Sequence, residues 1–404
     1  MPDNDEAMTI AERRKYVQRM QKRYWLADRA ARGRLLDEME AVTALHRKSL
    51  LRLLAPGGLE RRPRRRQRGR TYDHRMDDAL RVIWESLDYV CAERLTPALV
   101  STALLLARHG ELQLTDELTV QLGRISVASV QRRLTRLMQD TPRLPRKGPE
   151  RASQVNQVAR KIPMQRLAWD EVEPGHFEVD LVHQSGPVTD GEYVHTLQLI
   201  DVATGWSERV AVLGRGQRAM EEGFRRVLDR LPFPIRELHP DNGSEFLNDH
   251  LVRFWGEAIT GLRLSRSRPY KKNDNRFVEQ KNASLVRAYL GHGRLDTPAQ
   301  CAALNALYDQ LWTYYNLFQP VLHLVGKTID PADPTRLRRK WDAAQTPFER
   351  LCATEALTQT RRTELERLRE RTNPRALRRE IYVALDLLLA PEPLPNVQPV
   401  TTAA

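Results

Sequence analysis

Three acidic residues stand where the chain can bring them together: Asp180, Asp241 and Glu279. Asp180 lies inside HFEVDLV at 176–182, where Phe177 and Val179 set the alternation of a strand. A carboxylate at such a position is costly unless a cation compensates it. Asp241 follows IREL at 235–238 and opens DNGSEF at 241–246. Asn242-Gly243 signals a turn, so Asp241 is expected at the carboxyl end of a strand, where open α/β sheets place their active sites. Glu279 falls in the first turn of a helix within SRPYKKNDNRFVEQKN at 267–282, and Asn282 shares its face. Three carboxylates from three elements suit one chemistry above others. A phosphodiester is cut when two divalent cations roughly 3.5–4 Å apart activate the attacking oxygen and stabilise the leaving one. Hard Mg²⁺ prefers carboxylate and water oxygens as ligands.

Other acids compete, since a single Asp at a strand end is more often a cap or a surface charge. Glu178 shares a strand face with Asp180 and reads as a supporting group, Asp201 precedes a hairpin turn and reads as local, and Glu245 is a further candidate. Asp274, in the loop beside Glu279, is the main rival for the third position; Glu279 is preferred because a helix holds a ligand more rigidly than a loop.

The elements needed to position these residues are legible around them. TLQLIDVATGWSERVAVL at 196–213 alternates with β-branched enrichment, and Ala203-Thr204-Gly205 falls where a hairpin turn is needed. A helix is predicted from about 217 to 230, a strand at 235–238, a helix over about 248–259, a strand at 262–265, and helices over about 277–290 and 297–318. Three antiparallel strands followed by alternating helices and strands describe an α/β layer with a mixed sheet.

The N-terminal region is helical in pattern. Thr9 and Glu12 form a capping box before Val17 and Met20; Leu35, Leu36, Met39 and Val42 follow, and LHRKSLLRLL at 45–54 turns Arg47 and Lys48 outward. A second block from 77 to about 140 ends in VASVQRRLTRLM, with Arg132, Arg133 and Arg136 expected outward. Both have the layout of a helix-turn-helix presenting a recognition helix to the major groove, or equally of a small bundle with a solvated basic face. Between them RRPRRRQRGR carries seven arginines and cannot bury enough apolar surface to fold. A net charge of +13, with 29% of the 404 residues charged, asks for an anionic partner such as nucleic acid. No apolar run reaches 18 residues and no apolar signal core follows the N-terminus, so membrane insertion and secretion are not expected. Cys91, Cys301 and Cys352 are too scattered for a disulfide framework or a metal clip.

The contexts EVDLV, DNGSEF and VEQKN, with Asp241 61 residues after Asp180 and Glu279 38 further on, resemble the DDE core of retroviral-integrase-like transposases of bacterial insertion sequences. The resemblance covers about 165–325. It implies an RNase H-like core, a mixed five-stranded sheet with flanking helices, in which Asp180, Asp241 and Glu279 bind two Mg²⁺ ions, with Mn²⁺ able to substitute. It also implies binding of terminal inverted repeats, 3′-end cleavage and strand transfer by a homo-multimer assembled on double-stranded DNA, in the cytoplasm and at the nucleoid. A plain nuclease and a DNA-binding regulator derived from a transposase are the alternatives. The expected division is 1–60 helix-turn-helix, 61–76 linker, 77–140 a second helix-turn-helix region, 141–163 linker, 164–325 catalytic core, and 326–404 a helical basic region with a disordered tail. Neither the His/Cys zinc module nor the C-terminal all-β domain of retroviral integrases is evident. Candidate DNA contacts in and after the loop at 267–275 are Arg268, Tyr270, Lys271, Lys272 and Asn273, with Lys281 and Asn282 beyond it and Arg47, Lys48, Arg132 and Arg133 in the helical regions.

Overall fold

The computed structural model describes residues 8–59, 72–137, 171–241, 243, 245–267, 275–330 and 333–390. The chain divides into two compact units, Met1–Thr71 and Tyr72–Ala404.

In the first unit, α1 (Ile10–Leu26) starts at a reciprocal cap: Glu12 N donates to Thr9 Oγ1, and Thr9 N donates to the Glu12 carboxylate at 2.7 Å. Asp28 caps α2 (Arg29–Thr43), which ends where Ala44 turns left-handed at φ 54°. α3 (Arg47–Leu54) follows after a three-residue turn. Val17, Met20, Leu36, Met39, Leu50 and Leu54 form its core, and Gln21 and Trp25 close the last turn of α3 by donating to the Leu54 carbonyl.

The second unit opens with α4 (His74–Ser86), α5 (Ala92–Arg108), α6 (Asp116–Arg124) and α7 (Val127–Leu134). After it come β1 (His176–His183), β2 (Val194–Asp201), β3 (Ser207–Leu213), α8 (Gln217–Arg230), β4 (Glu237–Pro240), α9 (Asp249–Ala258) and β5 (Arg263–Leu264). The five strands form one sheet in the order β3-β2-β1-β4-β5, antiparallel from β1 to β3 and parallel from β1 through β4 to β5. A mixed sheet with helices about it is what the alternation of the sequence predicted. The antiparallel half is closed by Asp201, whose carboxylate accepts from Thr204 N and Oγ1 in the turn and from Gly175 N before β1. Gly175 is forced: its φ is +112°, and a Cβ would lie 2.8 Å from the Pro234 carbonyl where the chain passes into β4. On the parallel half, Glu237 is hydrogen bonded to His176 of β1 and to Ser265 just past β5, which pins three strands together.

The chain continues through α10 (Arg276–Lys281), a π-helical turn (Asn282–Arg287), α11 (Ala288–Leu290) and α12 (Pro298–Phe318). Asn305 and Asn316 stand about three turns apart on α12. Each side-chain amide bonds both the N–H and the C=O of a residue on edge strand β3, Asn305 at Ala211 and Asn316 at Ser207. The helix thereby covers an edge that would otherwise bury unpaired backbone groups. Asn305→Ala and Asn316→Ala are each expected to cost about 1–3 kcal/mol, because each leaves a buried N–H and C=O unsatisfied. Urea midpoints check this; unchanged midpoints in both variants would mean that the edge is held by something else.

After α12 the sequence reading needs correction. A helical basic region with a disordered tail was expected from 326, yet β6 (Leu324–Asp330) and β7 (Asp333–Trp341) form an antiparallel hairpin before α13 (Pro347–Cys352), α14 (Gln359–Arg371) and α15 (Pro374–Leu389). Pro331 and Pro334 stand close together in the sequence here, and each would remove a backbone donor from a helix and kink or break it. The second unit runs from Tyr72 to Ala404. Residues 72–137 share one hydrophobic core with the sheet and the C-terminal helices, through Ile83, Trp84 and Leu87 on one side and Ile381, Leu385 and Leu388 on the other. Asp88 is a polar hub of the same contact, receiving Tyr289 Oη, Arg378 Nε and Tyr382 Oη. A fragment cut near residue 145 would bare that surface.

Candidate active site

β1 and β4 run parallel with Glu178 opposite His239 and Val179 opposite Pro240. One residue further in the same register, Asp180 stands beside Asp241 on one face, at the carboxyl end of the parallel half of the sheet. Neighbouring strands are separated by about 4.8 Å, so the two carboxylates are close. Asp180 accepts from Leu181 N at 2.8 Å and from the Asn282 amide of the π-helical turn, and Asp241 accepts from Gly243 N at 2.9 Å. Glu279 sits in the first turn of α10, partly exposed, where its charge acts on Asp180.

The electrostatics are those of crowded anions. Burial, then Glu279 and Glu245, raise Asp180 to about 6 against the hydrogen bonds from Leu181 and Asn282. Burial, then Asp180 and Glu245, raise Asp241 to about 7. No Lys or Arg among the described residues pairs with either one. A carboxyl whose pKa is higher folded than unfolded favours the folded chain while it is protonated. That contribution is whole below about pH 4 and is lost as pH climbs through the folded values of 6 to 7. In chelator-containing buffer the melting temperature is therefore expected to fall from pH 5 to pH 8, with a smaller fall in Asp241→Asn. Equal slopes in the two proteins would contradict the crowding.

Hard oxygen donors held against their own repulsion suit a divalent cation, and Asp180, Asp241 and Glu279 are the residues that would hold one. As the side chains are oriented, no group of three His, Cys, Asp or Glu among the described residues is arranged to hold a metal ion.

Comparison with known proteins adds a relative. The uncharacterized protein y4rM of Sinorhizobium fredii is 37% identical over 324 residues, which span 80% of this chain and 90% of the relative. The chain belongs to the family of y4rM. No family model matches it. Among solved structures, the catalytic core domain of BIV integrase is similar to it with a TM-score of 0.29 at 14% identity, over 43% of this chain and 91% of that domain.

In this y4rM-family member, other residues chosen from sequence take varied places. Lys48 is exposed, whereas Arg47 pairs with Asp37 and reaches the Gly33 carbonyl. Arg132 is exposed. Arg133 is not turned outward as expected: its side chain is only 13% exposed, and its guanidinium pairs with Asp77, bonds the Tyr72 carbonyl and covers the Tyr72 ring. It lies on the flank of the apolar face of α7, where α4 brings a carboxylate within reach. Lys281 lies over the Tyr315 ring at 5.0 Å. Arg268, Tyr270, Lys271, Lys272, Asn273 and the rival acid Asp274 lie outside the described residues, as do the segments at 61–70 and 141–163. Asp201 serves its turn through Thr204, as expected, and also reaches beyond it to Gly175 before β1. Glu245 acts on both aspartates, which the spacing of the acids could only suggest, and no helix of the described residues is long and apolar enough to cross a membrane.

Proposed function

We propose that the chain is a DDE transposase that binds the terminal inverted repeats of a mobile element, cleaves its 3′ ends and joins them to target DNA. The observation that carries this reading is the pair of crowded carboxylates, Asp180 within β1 and Asp241 just past β4, side by side with no basic partner among the described residues and with the Glu279 helix laid against them. When bound, divalent cations such as Mg²⁺ would activate the attacking oxygen and neutralise charge on the leaving one. Asp180, Asp241 and Glu279 supply the oxygen donors, and Asn282 orients Asp180 through its amide. Water attacks the phosphorus and the bond to the 3′ oxygen breaks, leaving a 3′-hydroxyl; that hydroxyl then attacks a target phosphodiester, releasing a target 3′-hydroxyl, with no covalent bond to the protein. The net charge of +13 supports a DNA partner. Exposed Lys48 and Arg132 are the described candidates for duplex contact. An element has two ends and the chain one trio, so the working form is a multimer on DNA.

The test is incubation of the full chain with Mg²⁺ and duplex carrying the DNA that flanks its gene. Nicks at one position that expose 3′-hydroxyls, followed by joined products, are expected. Nicks without joining would leave a plain nuclease, and a folded chain inert with both Mg²⁺ and Mn²⁺ would overturn the reading.

A further inference from the structure

Glu279 can serve the site only if its helix is fixed over β1, and α10 begins poorly equipped for that. Its flanking residue Asn275 makes no capping bond. The open N–H groups of Phe277 and Val278 are taken instead by one oxygen of Glu178, at 2.7 and 2.9 Å. Glu178 is 1% exposed and lies on β1, two residues before Asp180 and on the same face. The strand that carries one carboxylate therefore holds the helix that carries another.

The far end is held by a different device. After Lys281 the helix widens into the π-helical turn Asn282–Arg287, a form that frequently marks functional sites. Arg209 of β3, 1% exposed, donates to the Leu285 carbonyl of that turn at 3.2 Å and to the Leu311 carbonyl of α12 at 3.1 Å. Its guanidinium lies over the rings of Tyr308 and Tyr315. No carboxylate pairs with it among the described residues. A buried charge without a counter-charge costs several kcal/mol, which an apolar residue would avoid. What Arg209 contributes is two fixed donors, one of them to the turn that presents Asn282 to Asp180.

We propose that Glu178 and Arg209 are positioning residues that clamp the Glu279 helix at its two ends and so set the geometry of the carboxylate site; the proposal rests on the reaction assigned above. The tolerance is tight, since ligands must be held within about 0.5 Å of the productive geometry.

Amide hydrogen exchange on the full chain, with Mg²⁺ titrations of cleavage beside it, tests this. Glu178→Leu is expected to speed exchange at Phe277 and Val278 by about tenfold or more, the loss of hydrogen bonds to a buried carboxyl. It should also raise the Mg²⁺ concentration for half-maximal cleavage by about 10- to 100-fold with unchanged affinity for DNA ends. Glu178→Gln, which keeps an acceptor in the same place, should restore both to near wild type. If Glu178→Leu does not fold, Arg209→Lys carries the test: exchange through 282–287 should rise, and the Mg²⁺ midpoint with it. Phe277 and Val278 equally protected in folded Glu178→Leu, Gln behaving as Leu does, or an unchanged turn and midpoint in Arg209→Lys would each overturn the clamp. Exchange is read without catalysis, so a wild type inactive on DNA would defeat the assigned reaction while the protection pattern still decided the clamp.

Discussion

Asp180→Asn is expected to lower metal-dependent cleavage by on the order of 10³-fold or more while leaving the fold intact. The substitution keeps side-chain size and leaves an oxygen to accept from Leu181 N. What it removes is the charge between Asp241 and Glu279. In the absence of metal that charge is a liability, because burial and the neighbouring carboxylates already push Asp180 up to about 6. The variant should therefore melt no lower than wild type in chelator, and somewhat higher near pH 8. Mg²⁺ should raise the melting temperature of wild type and leave that of the variant nearly unchanged, since a ligand stabilises only the state that binds it. Loss of cleavage with loss of fold, or full cleavage without the carboxylate, would each remove Asp180 from the role proposed.

The largest expected effect on stability is that of Trp206→Ala, about 3–5 kcal/mol. Trp206 is fully buried directly after the Thr204-Gly205 turn that joins β2 to β3. Its ring meets Trp312 edge-on at 5.4 Å and Phe233 at 6.0 Å, and its indole N–H donates to Glu208 at 2.9 Å. Glu208 is buried and is otherwise satisfied by Trp312 Nε1 and Arg230. Truncation therefore opens a cavity in the core and strips one donor from a buried carboxylate. Domains are held by about 5–15 kcal/mol in all, so the variant should sit near its unfolding transition. Urea unfolding measures it; a loss below about 1 kcal/mol would mean that this part of the core repacks without cost.

What the sequence made legible follows from the range of each interaction. The strands around Asp180 and the 196–213 hairpin have alternation that any local window detects, the helix at 217–230 carries its own periodicity, and the helix at 298–318 opens on a capping box of Thr297 and Gln300. The β6–β7 hairpin was missed because its strands carry charge and little β-branched alternation; Pro331 and Pro334 in the sequence were the available signal. Arg133 was misjudged because helical position alone cannot show that α4 brings Asp77 alongside. The same limit hid Glu178: its place on the face of Asp180 was readable, but its partners are backbone amides about 100 residues away. Asn305 and Asn316 read as ordinary polar residues until the β3 edge is seen beneath them. Long-range pairing of a side chain with backbone leaves no pattern in composition or period.

The central claim is that Asp180, Asp241 and Glu279 together hold divalent cations. Crystals of the full chain soaked in Mn²⁺ test it most directly, through anomalous scattering. The account predicts a peak between the carboxylates of Asp180 and Asp241, with a Glu279 oxygen completing the metal site, absent in Asp180→Asn crystals. A protein that bound Mn²⁺ elsewhere, or used Asp274 in place of Glu279, or showed no peak at a concentration that supports cleavage, would contradict it.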